Sequence, residues 1–155
     1  MAVVKDYCYG CDRFEQVDGR IAMSDIVKVQ VNQIGPSTSE GTARDHRVLV
    51  DRPVAKGGED QGAMGGELLL VAVGGCFMSN LLAAIRARDA AVSTIRIEVI
   101  GTLGTTPGRF TAIELKISAD YSDRDLITRL VTIAERGCLV ANTLREAVDL
   151  SFSIG

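Results

Sequence analysis

Hydrophobic and polar positions follow two different rhythms along this chain. From Leu68 to Ile85 no residue is charged, and only Gly74-Gly75 and Ser79-Asn80 interrupt the apolar run. Such a run predicts a helix from about residue 67 to 88, buried in protein on nearly all faces. On both sides of it the pattern alternates with a period of two. Val27, Val29 and Val31 alternate with Lys28, Gln30 and Asn32, which predicts a half-buried strand. Residues 47–51 read as a short strand stopped by Pro53. Ile95, Ile97 and Val99 alternate with Arg96 and Glu98, and Ile113, Leu115 and Ile117 with Glu114, Lys116 and Ser118. These two segments predict a hairpin, with residues 101–109 as its turn.

The remaining segments complete the outline. Asp18-Gly19 is a hairpin-turn dipeptide between residues 14–17 and 20–23. Residues 35–41 read as a loop, and the glycine-rich stretch 56–66 as a flexible connection into the long helix. Ser122 and Asp125 resemble a capping box. The helix behind it places Leu126, Leu130, Ile133 and Ala134 on one face and ends at Gly137. A short helical turn over 140–145 and an alternating strand from Val148 to Ile154 close the chain. Strands, a long helix, two strands, two helices and a strand make an α+β fold rather than a βαβ series. Residues 1–24 form an N-terminal extension with a hairpin, and residues 25–155 one domain.

Composition narrows the class of function. At 155 residues the chain buries a real core without staples. Its net charge is −3, its pI about 5.2, and it carries no basic stripe, which argues against nucleic acid as a partner. The apolar run reaches the length of a membrane span, but its glycine and polar interruptions and the flanking strands favour a core helix over a membrane anchor. The N-terminus lacks the basic start and apolar run of a signal peptide. Four cysteines without such a signal predict a reducing compartment, the cytoplasm.

Cys76 ends the apolar motif Leu68-Leu69-Leu70-Val71-Ala72-Val73-Gly74-Gly75-Cys76, and Cys138 follows Glu135-Arg136-Gly137. Each has two readings, a small hydrophobe filling a core or half of a two-thiol redox site. Cys8 and Cys11 form a C-x-x-C pair, but zinc needs four ligands, no second ligand pair follows, and His46 is the only histidine. No metal and no cofactor are expected. Residues 57–66 lack the Gly-Lys-Ser/Thr ending of a phosphate loop.

Two motifs carry a family resemblance. Residues 65–76, with Glu67, the leucine run and Gly74-Gly75-Cys76, resemble the helix signature of the OsmC/Ohr family. Ala134-Glu135-Arg136-Gly137-Cys138-Leu139-Val140-Ala141-Asn142-Thr143-Leu144 resembles the family's second signature. Residues 46–53 and Gly57-Gly58 resemble the strand and glycine loop that precede the first. The resemblance spans about residues 25–155 and is nearest to the OsmC-like branch. It implies an intertwined homodimer in which sheets wrap two long central helices. It also implies a peroxidatic Cys76, a resolving Cys138, and thiol-dependent reduction of organic hydroperoxides. A dithiol of the lipoyl or thioredoxin type would be the reductant.

A peroxide needs a thiolate, and an apolar helix disfavours one, so a cation is required at the site. Arg44 is the first choice, followed by Arg47 and Arg20; Glu67 is the acidic candidate. The acidic residue of the Ohr-type site lies ten positions before the cysteine, where this chain has Gly66, with Glu67 nine before. The proline usual before the helix is missing, and Leu139 stands where proline is frequent. These departures leave an alternative: an OsmC-like dimer without peroxidase activity that binds a small molecule or senses redox state.

Overall fold

The computed structural model of the protein describes residues 14–17, 20–23 and 26–146. The chain divides into two compact units that meet in sequence at Met64 and Gly65. Cys8, Cys11, the Asp18-Gly19 dipeptide and the strand expected over 148–154 lie outside the described residues.

In the first unit, β1 (Phe14–Val17) and β2 (Arg20–Met23) pair antiparallel, with Val17 opposite Arg20. A separate sheet has the order β3 (Gln30–Gln33), β4 (Ser39–Ala43), β5 (His46–Val50), all antiparallel. The expected strand over 27–32 is therefore shorter and shifted, and all four residues of β3 are exposed rather than half-buried. β4 falls partly in the expected loop. Its sequence, Ser-Glu-Gly-Thr-Ala, has little strand propensity of its own, and pairing on both edges holds it.

The connection after β5 is ordered, not flexible. A 3-10 turn spans Val54–Lys56 and closes on Gly57, whose φ of 79° is left-handed. Asp51, 3% exposed, then organises the loop. Its carboxylate accepts from Thr38 Oγ1 (3.1 Å) and from the backbone N–H groups of Arg52 (2.7 Å), Glu59 (3.2 Å) and Gln61 (3.2 Å). Burial opposes its ionisation. Ser37, whose hydroxyl lacks a partner of strict hydrogen-bond geometry, the Arg52 and Gln61 backbones and Thr38 outweigh that and bring the carboxyl down to about 2.

The second unit opens with α1 (Gly65–Arg86), long and apolar enough by length and composition to cross a membrane. Val73, Phe77, Leu81, Ala84 and Ile85 form one buried stripe at i, i+4, i+8, i+11 and i+12. The expectation of burial on nearly all faces is not met within one chain. Val71 and Leu82 are 66% and 40% exposed, and Ala72, Gly75, Ser79 and Ala83 continue that open face. The reason is geometric, since α2 and one hairpin cover only one side of a cylinder.

β6 (Val92–Thr105) and β7 (Gly108–Tyr121) form the expected hairpin, with Ile97 opposite Ile117 and Val99 opposite Leu115. The strands run further than predicted and leave only Thr106-Pro107 as the turn. Their alternation holds, because the Ile, Val and Leu side chains are partly buried while Arg96, Glu98, Glu114 and Lys116 are exposed. α2 (Arg124–Arg136) is capped by Asp123, which accepts from the Leu126 N–H at 2.9 Å, so Ser122 is not the cap. Its buried stripe is Ile127, Leu130 and Ala134, rotated from the expected one, and Ile133 is exposed. α3 (Leu139–Glu146) follows.

Candidate functional site

The core of the second unit ends on two thiols. The α2 stripe of Ile127, Leu130 and Ala134 continues one turn further to Cys138, which is fully buried, and Cys76 packs against the same cluster from α1. Both cysteines are free, and they share one packed cluster in which each thiol senses the other's charge. Local sequence explains the approach. Gly74 lets α1 lie close on β6, because a Cβ there would come 2.8 Å from Val99 Cγ2. α2 ends at Gly137, and Cys138 follows at the corner into α3.

Cys138 occupies the N-cap position of α3. Its carbonyl accepts from Asn142 N–H (3.0 Å), and its sulfur accepts from Ala141 N–H (3.5 Å). Burial pushes the Cys138 thiol up, and the hydrogen bond and charge of Cys76 push it the same way. The Ala141 and Val140 amides pull it down.

The corner carrying Cys138 is braced from both sides. Asn142 Nδ2 donates to Arg136 O (3.1 Å), capping α2, and Arg145 meets Glu135 at 2.6 Å, tying α3 to α2. In the same unit a cavity of about 400 Å³ is lined mainly by apolar groups including Leu69, Val73, Phe110 and Ala141, with Arg145 its one charged residue. Neither cysteine lines it; Val73 is one turn before Cys76 on α1, and Ala141 is the residue whose N–H meets the Cys138 sulfur.

The other predicted residues lie elsewhere. Glu67 is exposed in the first turn of α1. Nine helical residues make about two and a half turns, so it leaves α1 on the side away from Cys76. Gly66 faces the Phe110 ring, where a Cβ would find ordinary contact at 3.6 Å. Arg44 is exposed at the β4–β5 turn of the first unit with φ 57°, and it makes no ion pair among the described residues. Arg47 pairs with Glu40 at 3.4 Å. For Arg20 only the backbone, in β2, is described. No cluster of three or more His, Cys, Asp or Glu among the described residues is placed to hold a metal.

Sequence reasoning missed two residues. Asn80 donates from Nδ2 to Cys76 O at 2.9 Å and lies 3.9 Å from Cys76 Sγ. Its signal was available: a carboxamide one turn after a cysteine in an otherwise apolar run. Arg145 gave no such signal, because its place on the cavity wall depends on how α3 folds back.

Residues 58–153 match the family model of OsmC-like proteins. No curated protein matches the chain. Among solved structures, an OsmC-like protein from Mycoplasma pneumoniae superposes with a TM-score of 0.65 at 17% identity, covering 80% of this chain and 90% of that one. An organic hydroperoxide resistance protein from Elizabethkingia anophelis superposes with 0.62 at 17% identity, covering 80% and 92%. The organic hydroperoxide resistance protein OhrB of Bacillus subtilis gives 0.56 at 21% identity, covering 80% and 93%.

Proposed function

Because the chain belongs to the family of OsmC-like proteins, matched over residues 58–153, we propose that it is a cytoplasmic thiol peroxidase that reduces organic hydroperoxides. One observation carries the reading: two free cysteines far apart in sequence meet in one packed cluster. The Cys76 thiolate attacks the outer peroxide oxygen. The S–O bond forms, the O–O bond breaks, and the alkoxide takes a proton and leaves as alcohol. Cys76 is then a sulfenic acid. Cys138 attacks its sulfur, water leaves, and the disulfide forms. A dithiol reductant, of the lipoyl or thioredoxin type, restores both thiols by two exchanges.

The geometry supports that order. While Cys76 is anionic, its charge keeps Cys138 protonated. Oxidation to the neutral sulfenic acid removes that charge, which leaves burial opposed by the Ala141 and Val140 amides and makes the Cys138 thiol easier to ionise than before. The activating cation in this reading is Arg44. Glu67, directed away from Cys76, serves as a favourable charge at the α1 N-terminus. The open apolar face of α1 is assigned to a homodimer, since a second copy would bury it.

The test is loss of free thiol on adding one equivalent of cumene hydroperoxide or hydrogen peroxide to wild type, Cys76→Ser and Cys138→Ser. Fast loss with the organic peroxide, dependent on Cys76 and ending in a Cys76–Cys138 disulfide, is expected. Equal, slow loss with both peroxides would refute the peroxidase. It would favour the second reading, a small-molecule-binding or redox-sensing dimer, to which Gly66 and the orientation of Glu67 point.

A further inference from the structure

Asn80 is a polar group where the sequence least favours one. Between Val71 and Ile85 only Ser79 and Asn80 carry polar side chains outside the cysteine; Ser79 faces solvent, and Asn80 is half-buried. Asparagine is a poor helix former, and a carboxamide turned towards a core is costly without partners. Its donor finds them one turn back, on the Cys76 carbonyl (2.9 Å) and near the Cys76 sulfur (3.9 Å).

A second observation comes from the other cysteine's corner. Gly137 has φ −83° and ψ −4°, a right-handed conformation open to any residue, so its backbone does not call for glycine. Its nearest neighbour is Asn80: a Cβ on residue 137 would come 2.9 Å from Asn80 Oδ1 and 3.5 Å from its Cγ and from the Ile133 carbonyl, so the carboxamide would have to turn aside. The carboxamide thus fills the gap between α1 and the α2–α3 corner. Its nitrogen is on the Cys76 side and its oxygen against the residue before Cys138.

We propose that Asn80 is a positioning residue for the thiol pair, setting the spacing of the Cys138 corner from α1 and donating a hydrogen bond to the Cys76 sulfur when it is charged. Its place in catalysis rests on the peroxidase reading, but its effect on Cys76 does not. Cys138 is the titratable group that meets Cys76 directly, so its state must be the same in every variant compared.

The test is the pH profile of Cys76 alkylation by iodoacetamide in the reduced, full-length protein, read by mass spectrometry of the Cys76 peptide. Asn80→Ala removes the donor, and alkylation at neutral pH slows by about fivefold as the profile moves to higher pH. Asn80→Asp keeps the shape and replaces the donor with a carboxylate, so the slowing is about tenfold or more. Gly137→Ala displaces the carboxamide and slows the reaction in the same direction. Added to Asn80→Ala it produces no further slowing. Asn80→Ala and Asn80→Asp profiles that superimpose on wild type would overturn the proposal. Should the aspartate variant not fold, the alanine variant decides alone, because alanine suits a helix interior. A wild-type protein that reduces no hydroperoxide would end the peroxidase reading and leave this comparison intact.

Discussion

Val71→Glu is expected to separate the proposed dimer. Val71 is 66% exposed on the face of α1 opposite the buried stripe. Full burial of a valine is worth about 1.5–3 kcal/mol, so covering its exposed part is worth about 1–2 kcal/mol per copy. In a twofold dimer the same patch is used by both copies, so its loss counts twice, about 2–4 kcal/mol. At about 1.4 kcal/mol per tenfold, association weakens by about 30-fold to about 1,000-fold. The glutamate charge adds a desolvation cost, so the lower figure is a floor. Sedimentation velocity over a dilution series reads the association constant, and far-UV circular dichroism checks that the variant is folded. A wild type that sediments as a monomer throughout, or a folded variant that associates as tightly as wild type, would refute the assignment of this face.

Three further outcomes follow from the packing and charge. Leu130 is fully buried in the core shared by α1 and α2, so Leu130→Ala lowers stability in urea titration by about 2–5 kcal/mol. Gly101→Ala would set a Cβ 2.5 Å from Phe110 Cε1 and 2.7 Å from Cδ1. It costs about 1–3 kcal/mol in the same assay, and Phe110→Leu in the same chain recovers part of the loss. Asp51 is held at about 2 against an ordinary 3.8, so its contribution to stability is complete above about pH 4 and is lost as pH falls towards 2. Asp51→Asn flattens the acid limb of the melting-temperature profile and speeds hydrogen exchange at the Glu59 and Gln61 amides; an unchanged acid limb would refute this.

Local pattern carried furthest where one element buries one face. The alternation of Ile95, Ile97 and Val99 against Ile113, Leu115 and Ile117 determined a hairpin, in which Ile97 and Val99 pair with Ile117 and Leu115 and the apolar side is the less exposed one, while Ile95 lies at a register irregularity and Ile113 faces Gly101. The uncharged run from Leu68 to Ile85 determined a long helix, and Gly137 the end of α2. Pattern carried less far where a neighbour decides. The central strand β4 exists through pairing on both edges, and the α2 stripe keeps Leu130 and Ala134 but takes Ile127 in place of Leu126 and Ile133, because its contact with α1 sets the rotation.

The thiol pair shows the same division. The two signature motifs marked Cys76 and Cys138 by type and context, since a cysteine after a glycine pair in an apolar helix and another at a helix break are local features. Their contact joins residues far apart in the chain, and only the packing of α1 against α2 brings the sulfurs together. That packing also sets the Asn80 carboxamide against Gly137. Periodicity reports which face of an element is apolar; which atoms meet across two such faces depends on rotation, crossing and side-chain volume, and these exist only in the folded chain.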